Sequence, residues 1–313
     1  MDSITEALTS SWEIKPWISA LMFLTCVLYA RGWWKLHQRR PDSFGFRHLV
    51  FFFAGQIVLI VAVASPLHEL AERSLMAHMI QHVLLMMVAP PLILLGAPQL
   101  PLLFGLSRAA LQHLLKPFLV WTPVKKVGRF LIHPLSCWLA FVGTTIVWHT
   151  PVSFELALRS EFWHAVEHIC FIASALFFWW PVIQPWPSQP RWPRWAMIPY
   201  LFLADFQNTA LSAFLIFCDR VVYPTYATAP RLLGMSALED QAAAGATMWV
   251  PGSCAFLVPL VLISIRIMSP SCGTARLSNE SLSSSTKLRR AQTRLIRAPA
   301  AAVSSTLNGE YLK

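Results

Sequence analysis

His78 and His82 stand four residues apart, as do His164 and His168, and each pair lies near one end of a long apolar stretch. A helix returns to within about 40° of the same direction every four residues, about 6 Å further along its axis. Each pair therefore directs two imidazoles from one helical face. An imidazole inside a bilayer is costly without a partner. Two nitrogen donors on one face suit ligation of a metal ion or a haem, provided that the two faces meet. His149, which ends a third apolar stretch, falls at the same expected depth.

The neighbours fit ligand chemistry. Met79 and Met86 lie within about 60° of His82 on a helix, giving a mixed His/Met stripe. Glu161 and Glu167 flank the His164–His168 stripe, where a carboxylate can orient an imidazole through its second nitrogen. Imidazole with thioether favours copper over magnesium or calcium, while zinc accepts imidazole equally well. Met76, Met79, Met86 and Met87 also suit plain packing, and His68 reads as an interhelical hydrogen-bonding group. Asp205 and Asn208 read as one buried hydrogen-bonded pair rather than an ion path.

The elements that must position these residues are membrane helices. The chain has 313 residues, 56% of them hydrophobic and 13% charged, with a mean hydropathy of +0.52. That profile implies an all-α, polytopic membrane protein. Stretches long enough to cross about 30 Å of hydrocarbon occur at 17–36, 48–66, 74–95, 130–149, 163–183, 196–218 and 245–267, which predicts seven transmembrane helices. The stretch 92–106 contains Gly96, Pro98, Pro101 and Gly105 and is too short to span, so it is expected at the interface or as a re-entrant turn. Residues 1–16 form an outer N-terminal segment, 17–268 the transmembrane domain, and 269–313 a basic, disordered cytoplasmic tail.

Charge fixes the expected orientation. Twenty of the 25 Lys and Arg residues fall in one set of alternating loops and the C-terminal tail, and five (Lys15, Arg73, Arg159, Arg220, Arg231) on the opposite side. The positive-inside rule then puts the N-terminus outside and the C-terminus inside. The net charge of +10 is thus a topology signal, and nucleic-acid binding is excluded in favour of contact with membrane lipid. Trp17, Trp148, Trp163 and Trp249 mark outer ends, Trp33, Trp34, Trp179 and Trp180 inner ones, and the Pro/Trp cluster of 184–195 an interfacial belt. Six scattered cysteines form no C-x-x-C pair, so neither a disulfide framework nor a thiolate shuttle is expected. The acidic N-terminus is unlike a cleaved signal peptide. His37, His48, His113 and His133 sort to the inner side. His68, His78, His82, His149, His164 and His168 sort to the outer side, five of them from three spans in one stratum.

The run His78-Met79-Ile80-Gln81-His82 through Met86-Met87-Val88-Ala89-Pro90-Pro91, ending in Leu95-Gly96-Ala97-Pro98, resembles the CtaG family of cytochrome c oxidase assembly factors. So do His133-Pro134, Trp148-His149-Thr150-Pro151, Trp163-His164 through Glu167-His168, Tyr223-Pro224-x-Tyr226, and Asp240-Gln241 followed by Gly245-x-x-Met248-Trp249-Val250-Pro251-Gly252. The resemblance runs from about residue 17 to 268. It implies a seven-helix protein of the bacterial plasma (inner) membrane that partners cytochrome c oxidase subunits, with copper delivery as its usual proposed role and no enzymatic reaction. It is distinct from the single-span copper chaperone that shares the CtaG name, whose cysteine motif is absent. Small Ala242, Ala243 and Ala244 depart from the commoner pattern after Asp240-Gln241.

The expected ligands are His78, His82, His149, His164 and His168, with Met79, Met248 and Asp240 at the same level. Asp240 remains open between ligand, imidazole-orienting acceptor and helix N-terminal carboxylate. Copper is the expected ion, with zinc or haem as alternatives. Facing histidines as haem axial ligands would make an electron-transfer protein. A metal transporter would instead carry its polar groups near the midplane on broken helices. A metallohydrolase would need an H-E-x-x-H motif, which is missing.

Overall fold

Prolines open many of the helices, at the first turn, where a missing N–H leaves no bond unmade. They do so in α1 (Pro16–Arg39), α6 (Thr122–Leu131), α7 (Pro134–Trp148), α8 (Pro151–Arg159) and α11 (Pro224–Thr228). The remaining elements are α2 (Phe46–Ala64), α3 (Leu67–Arg73), α4 (Leu75–Leu95), α5 (Gln99–Gly105), α9 (Glu161–Ile183), α10 (Met197–Phe217) and α12 (Ala237–Met268). The computed structural model describes residues 16–115, 121–188, 190–230 and 234–269, and among these the regular structure is helical throughout. Segment 1–15 and tail residues 270–313 lie outside the described residues, as do Lys15, Lys116 and Arg231 of the charge partition.

All seven apolar stretches are helical. Five helices are long and apolar enough to cross a membrane: α2, α4, α9, α10 with its preceding turn from Arg194, and α12. Helices α6 and α7 meet at a 68° bend and would raise the number to six if they form one span. Helix α1 has 24 residues but falls outside that set, and its C-terminal half carries Arg31, Lys35 and Arg39. Stretch 92–106 is the end of α4, a turn at Gly96 and Ala97, and the seven-residue α5, too short to span.

Helix α4 is regular to Val83, then widens into a π-turn over Leu84–Val88 before resuming at Ala89. Pro90 and Pro91 explain the break, since neither can donate to the carbonyl four residues earlier. The Met86 carbonyl accepts instead from Trp179 Nε1 of α9 at 2.9 Å. The Ala89 N–H reaches back five residues to Leu84. Such turns re-aim the side chains around them, here Met86 and Met87.

Helices α7, α9, α10 and α12 bury an aromatic core of Phe141, Phe171, Phe178, Trp179, Tyr200 and Phe256. A second cluster joins Leu75, Met79, Phe154, Leu215, Tyr223, Tyr226 and Met248. Asp240, in the first turn of α12, accepts from Ser74 Oγ at 2.6 Å, Leu75 N at 2.7 Å and Met76 N at 3.3 Å. One carboxylate thus satisfies orphan N–H groups at the start of α4, where the helix dipole favours negative charge. Helices α1 and α5 cross at backbone contact: a Cβ on Gly32 would sit 1.7 Å from the Pro101 carbonyl oxygen, and one on Gly105 2.0 Å from that of Leu28. Residues 265–269, the described part of a second compact unit, are the end of α12 and Ser269.

Asp240→Ala removes three bonds to a charged acceptor and should destabilise the fold by about 2–4 kcal/mol, read as a lower Tm in detergent. Gly32→Leu should force α1 and α5 apart and cost about 3 kcal/mol in the same measurement, whereas Gly128→Ala, in open space within α6, should not lower Tm.

Candidate metal centre

The first two turns of α4 present His78 and His82, and the first two turns of α9 present His164, Glu167 and His168. Ser74 caps α4, its hydroxyl accepting from Ala77 N at 3.3 Å. His149 closes α7 as its C-cap residue. All five imidazoles and the Glu167 carboxylate are buried. The rings pack mostly edge to face, with His78 stacked on His164: centroids are 4.3 Å apart within each pair, 5.4 Å for His78–His164, 6.0 Å for His82–His168 and 5.8 Å for His82–His149. Five imidazoles from three helices therefore lie together in one cluster.

Glu167 sits at the centre and is 0% exposed. Its Oε2 is 3.9 Å from His78 Nε2 and its Oε1 3.8 Å from His82 Nε2. Both separations exceed hydrogen-bond length, and neither oxygen has a hydrogen-bond partner among the described residues. The convergent donors fall into two triads, His78–His82–Glu167 and His164–Glu167–His168, the atoms of each within 4.8 Å of one another. Donors sharing one ion at bonds of about 2.0–2.2 Å lie about 3.3–3.6 Å apart, and the two separations from Glu167 exceed that by a few tenths of an ångström.

Outer hydrogen bonds orient the rings. The Tyr226 hydroxyl donates to the Ala71 carbonyl at 2.7 Å, which leaves its oxygen to accept from His78 Nδ1 at 3.1 Å. His78 Nε2 then keeps its lone pair and faces Glu167. His149 Nδ1 donates to the Thr145 carbonyl at 2.8 Å, again freeing Nε2, while Tyr223 donates to the His149 carbonyl at 2.9 Å. Burial pushes both phenols above their usual pKa, so they remain donors. This is the pattern by which second hydrogen bonds fix the tautomer and aim of metal-binding imidazoles.

Beside the cluster lies a cavity of about 20 Å³, lined by His82, Met86, Met87, His149, Asn208 and Met248, among others. It has room for one water-sized particle. His82 borders both the first triad and this cavity.

The structure therefore brings His78, His82, His149, His164 and His168 together and sets Met248 on the adjoining cavity. Met79 is fully buried in the apolar cluster with Leu75 and Phe154, and Met86 takes the cavity wall. Asp240 is in neither triad and caps α4. Asp205 and Asn208 do not pair with each other: Asp205 accepts from Ser253 at 2.7 Å and Asn208 donates to the Met248 carbonyl at 3.1 Å. Two participants exceed their sequence reading. Glu167 is central rather than flanking, and a carboxylate inside an apolar helix, three residues after one histidine and adjacent to another, was the signal for it. His68 stacks on His164 at 5.1 Å and receives Gln81 Nε2 at 3.5 Å. Glu161, by contrast, is exposed.

The chain is 25% identical over 262 residues to uncharacterized protein ML1998 of Mycobacterium leprae (strain TN), covering 82% of this chain and 39% of that one. It is also 25% identical over 242 residues to uncharacterized protein Mb0105 of Mycobacterium bovis and to uncharacterized protein MT0111 of Mycobacterium tuberculosis (strain CDC 1551 / Oshkosh), covering 76% of this chain and 36% of each. The chain thus spans less than two fifths of the length of these relatives. No solved structure matches it. The model of the cytochrome c oxidase caa3 assembly factors (Caa3_CtaG) matches residues 27–269, most of the chain and every member of the histidine cluster, and the protein belongs to that family.

Proposed function

We propose that this protein binds copper among the clustered imidazoles and passes it by ligand exchange to a cytochrome c oxidase subunit during assembly. The observation that carries the reading is Glu167: a fully buried carboxylate, unpartnered among the described residues and ringed by histidines whose outer bonds turn lone pairs inward. A buried carboxylate is costly unless a cation compensates it. The thioethers of Met86, Met87 and Met248 on the adjoining cavity supply soft ligands that favour the reduced ion. Zinc suits the imidazole and carboxylate donors but gains nothing from that wall. A haem would need a flat slot far larger than the about 20 Å³ beside these rings.

In this reading the chain crosses a bacterial plasma membrane seven times, with the bent α6–α7 pair and α1 counted as spans. The positive-inside bias puts the N-terminus and the histidine end outside. Oxidase subunits would receive copper at that face, and no reaction on a substrate is required.

Protein purified from copper-supplied cells should contain copper, and a His78→Ala, His164→Ala double variant should lose at least nine tenths of it by elemental analysis. Equal metal in both would overturn the reading. Tyr226→Phe removes the acceptor for His78 Nδ1 and should weaken copper binding about 10–100-fold while retaining the ligand set, measured by competition with a chromogenic chelator.

A further inference from the structure

We infer that Glu167 bridges two metal ions, one held with His78 and His82 and the other with His164 and His168. This rests on the metal-binding reading above and deepens it.

The first ground is how the donors are grouped. Among the described residues they converge as two triads that have Glu167 alone in common, not as a single set around one point. Each helix supplies its own imidazole pair, with centroids 4.3 Å apart, and the pairs face each other at 5.4 and 6.0 Å. Both carboxylate oxygens are buried without a hydrogen-bond partner, so neither is committed elsewhere and a bridging mode is open to them. Paired ions in proteins lie about 3.5–4 Å apart, a span that one carboxylate covers.

The second ground is the number of orphaned nitrogens. His78 Nε2, both nitrogens of His82, His149 Nε2 and His168 Nε2 are buried without hydrogen-bond partners. Two ions would take three of these, His78 Nε2, one nitrogen of His82 and His168 Nε2, and would engage both imidazole pairs, whereas one four-coordinate ion taking Glu167 and three imidazoles would leave one pair incomplete. Charge then selects the ion: one carboxylate against two monovalent ions leaves a single excess positive charge among neutral imidazoles, whereas two divalent ions leave three. Two copper(I) ions suit the site better than two zinc ions.

The test is an anaerobic titration of the full-length protein in detergent with copper(I), followed by X-ray absorption at the copper edge. Wild type should bind two copper ions per chain and show a short copper–copper vector. His78→Ala with His82→Ala, and separately His164→Ala with His168→Ala, should each bind one ion and lose that vector. Glu167→Gln should weaken both ions at least tenfold. One ion in wild type, abolished by either double variant, would overturn the bridge and leave the copper reading standing. So would two ions with no copper–copper vector. Wild type that binds no copper would sink the copper reading itself. The wild-type stoichiometry and copper–copper vector together decide the matter even if a variant fails to fold.

Discussion

Glu167 sets the terms for the rest of the structure. Moving a carboxylate out of water into a low-dielectric interior carries an effective penalty of several kcal/mol, and proteins usually offset it with an Arg, a Lys or several N–H donors. Here none is within hydrogen-bonding reach among the described residues; the neighbours are imidazoles at 3.8 and 3.9 Å. Imidazole nitrogens aimed at a carboxylate from beyond hydrogen-bond range form an arrangement that a cation would complete, as the proposed function requires. Packing alone has no use for it, since an apolar side chain would fill the same space more favourably.

Holding four imidazoles around that carboxylate, with His149 beside His82, requires rigid, well-placed helix ends. Asp240 secures the start of α4 from α12, binding Ser74, Leu75 and Met76, so the His78–His82 face cannot rotate freely. Further along, Pro90 and Pro91 open α4 into the π-turn, and the carbonyl left over is taken up by Trp179 of α9. The helix carrying one histidine pair is thereby tied to the helix carrying the other. The aromatic core around Phe171 and Phe178 supports α9 beneath its polar end. Polar donors collect at one end of the bundle while dispersion and apolar burial secure the other.

Much of this was legible before any coordinates. Spacing of four puts two imidazoles on one face in any helix, and matching positions in two apolar stretches placed both pairs at one depth. The helical class and the location of each apolar stretch follow from composition, because a spanning segment must satisfy its backbone internally. What spacing could not supply was rotation about each helix axis. That unknown decided whether Glu167 flanked the cluster or sat inside it, and whether Met79 or Met86 faced it. The π-turn shifted the methionines, and its cause lies in the two prolines beyond them. Asp205 and Asn208 are not partners for a similar reason: three residues apart on one helix, each bonds to α12 instead.

Under the proposed copper hand-over, the site would have to hold an ion without trapping it, and the donor types here are graded in that sense. Glu167 offers hard oxygen, the histidines borderline nitrogen, and the cavity wall soft sulfur. His82 belongs to the first triad and also borders the cavity with Met86, Met248 and His149. An ion could therefore exchange carboxylate for thioether while one imidazole stays bound, so that no step leaves it stripped of ligands inside the membrane. Such stepwise exchange would lower the barrier to transfer, because the desolvated, uncoordinated ion would be the state of highest energy on any alternative route. In the proposed reading the small cavity beside His82, rather than the depth of the histidine cluster, would be what separates a delivery site from a structural one.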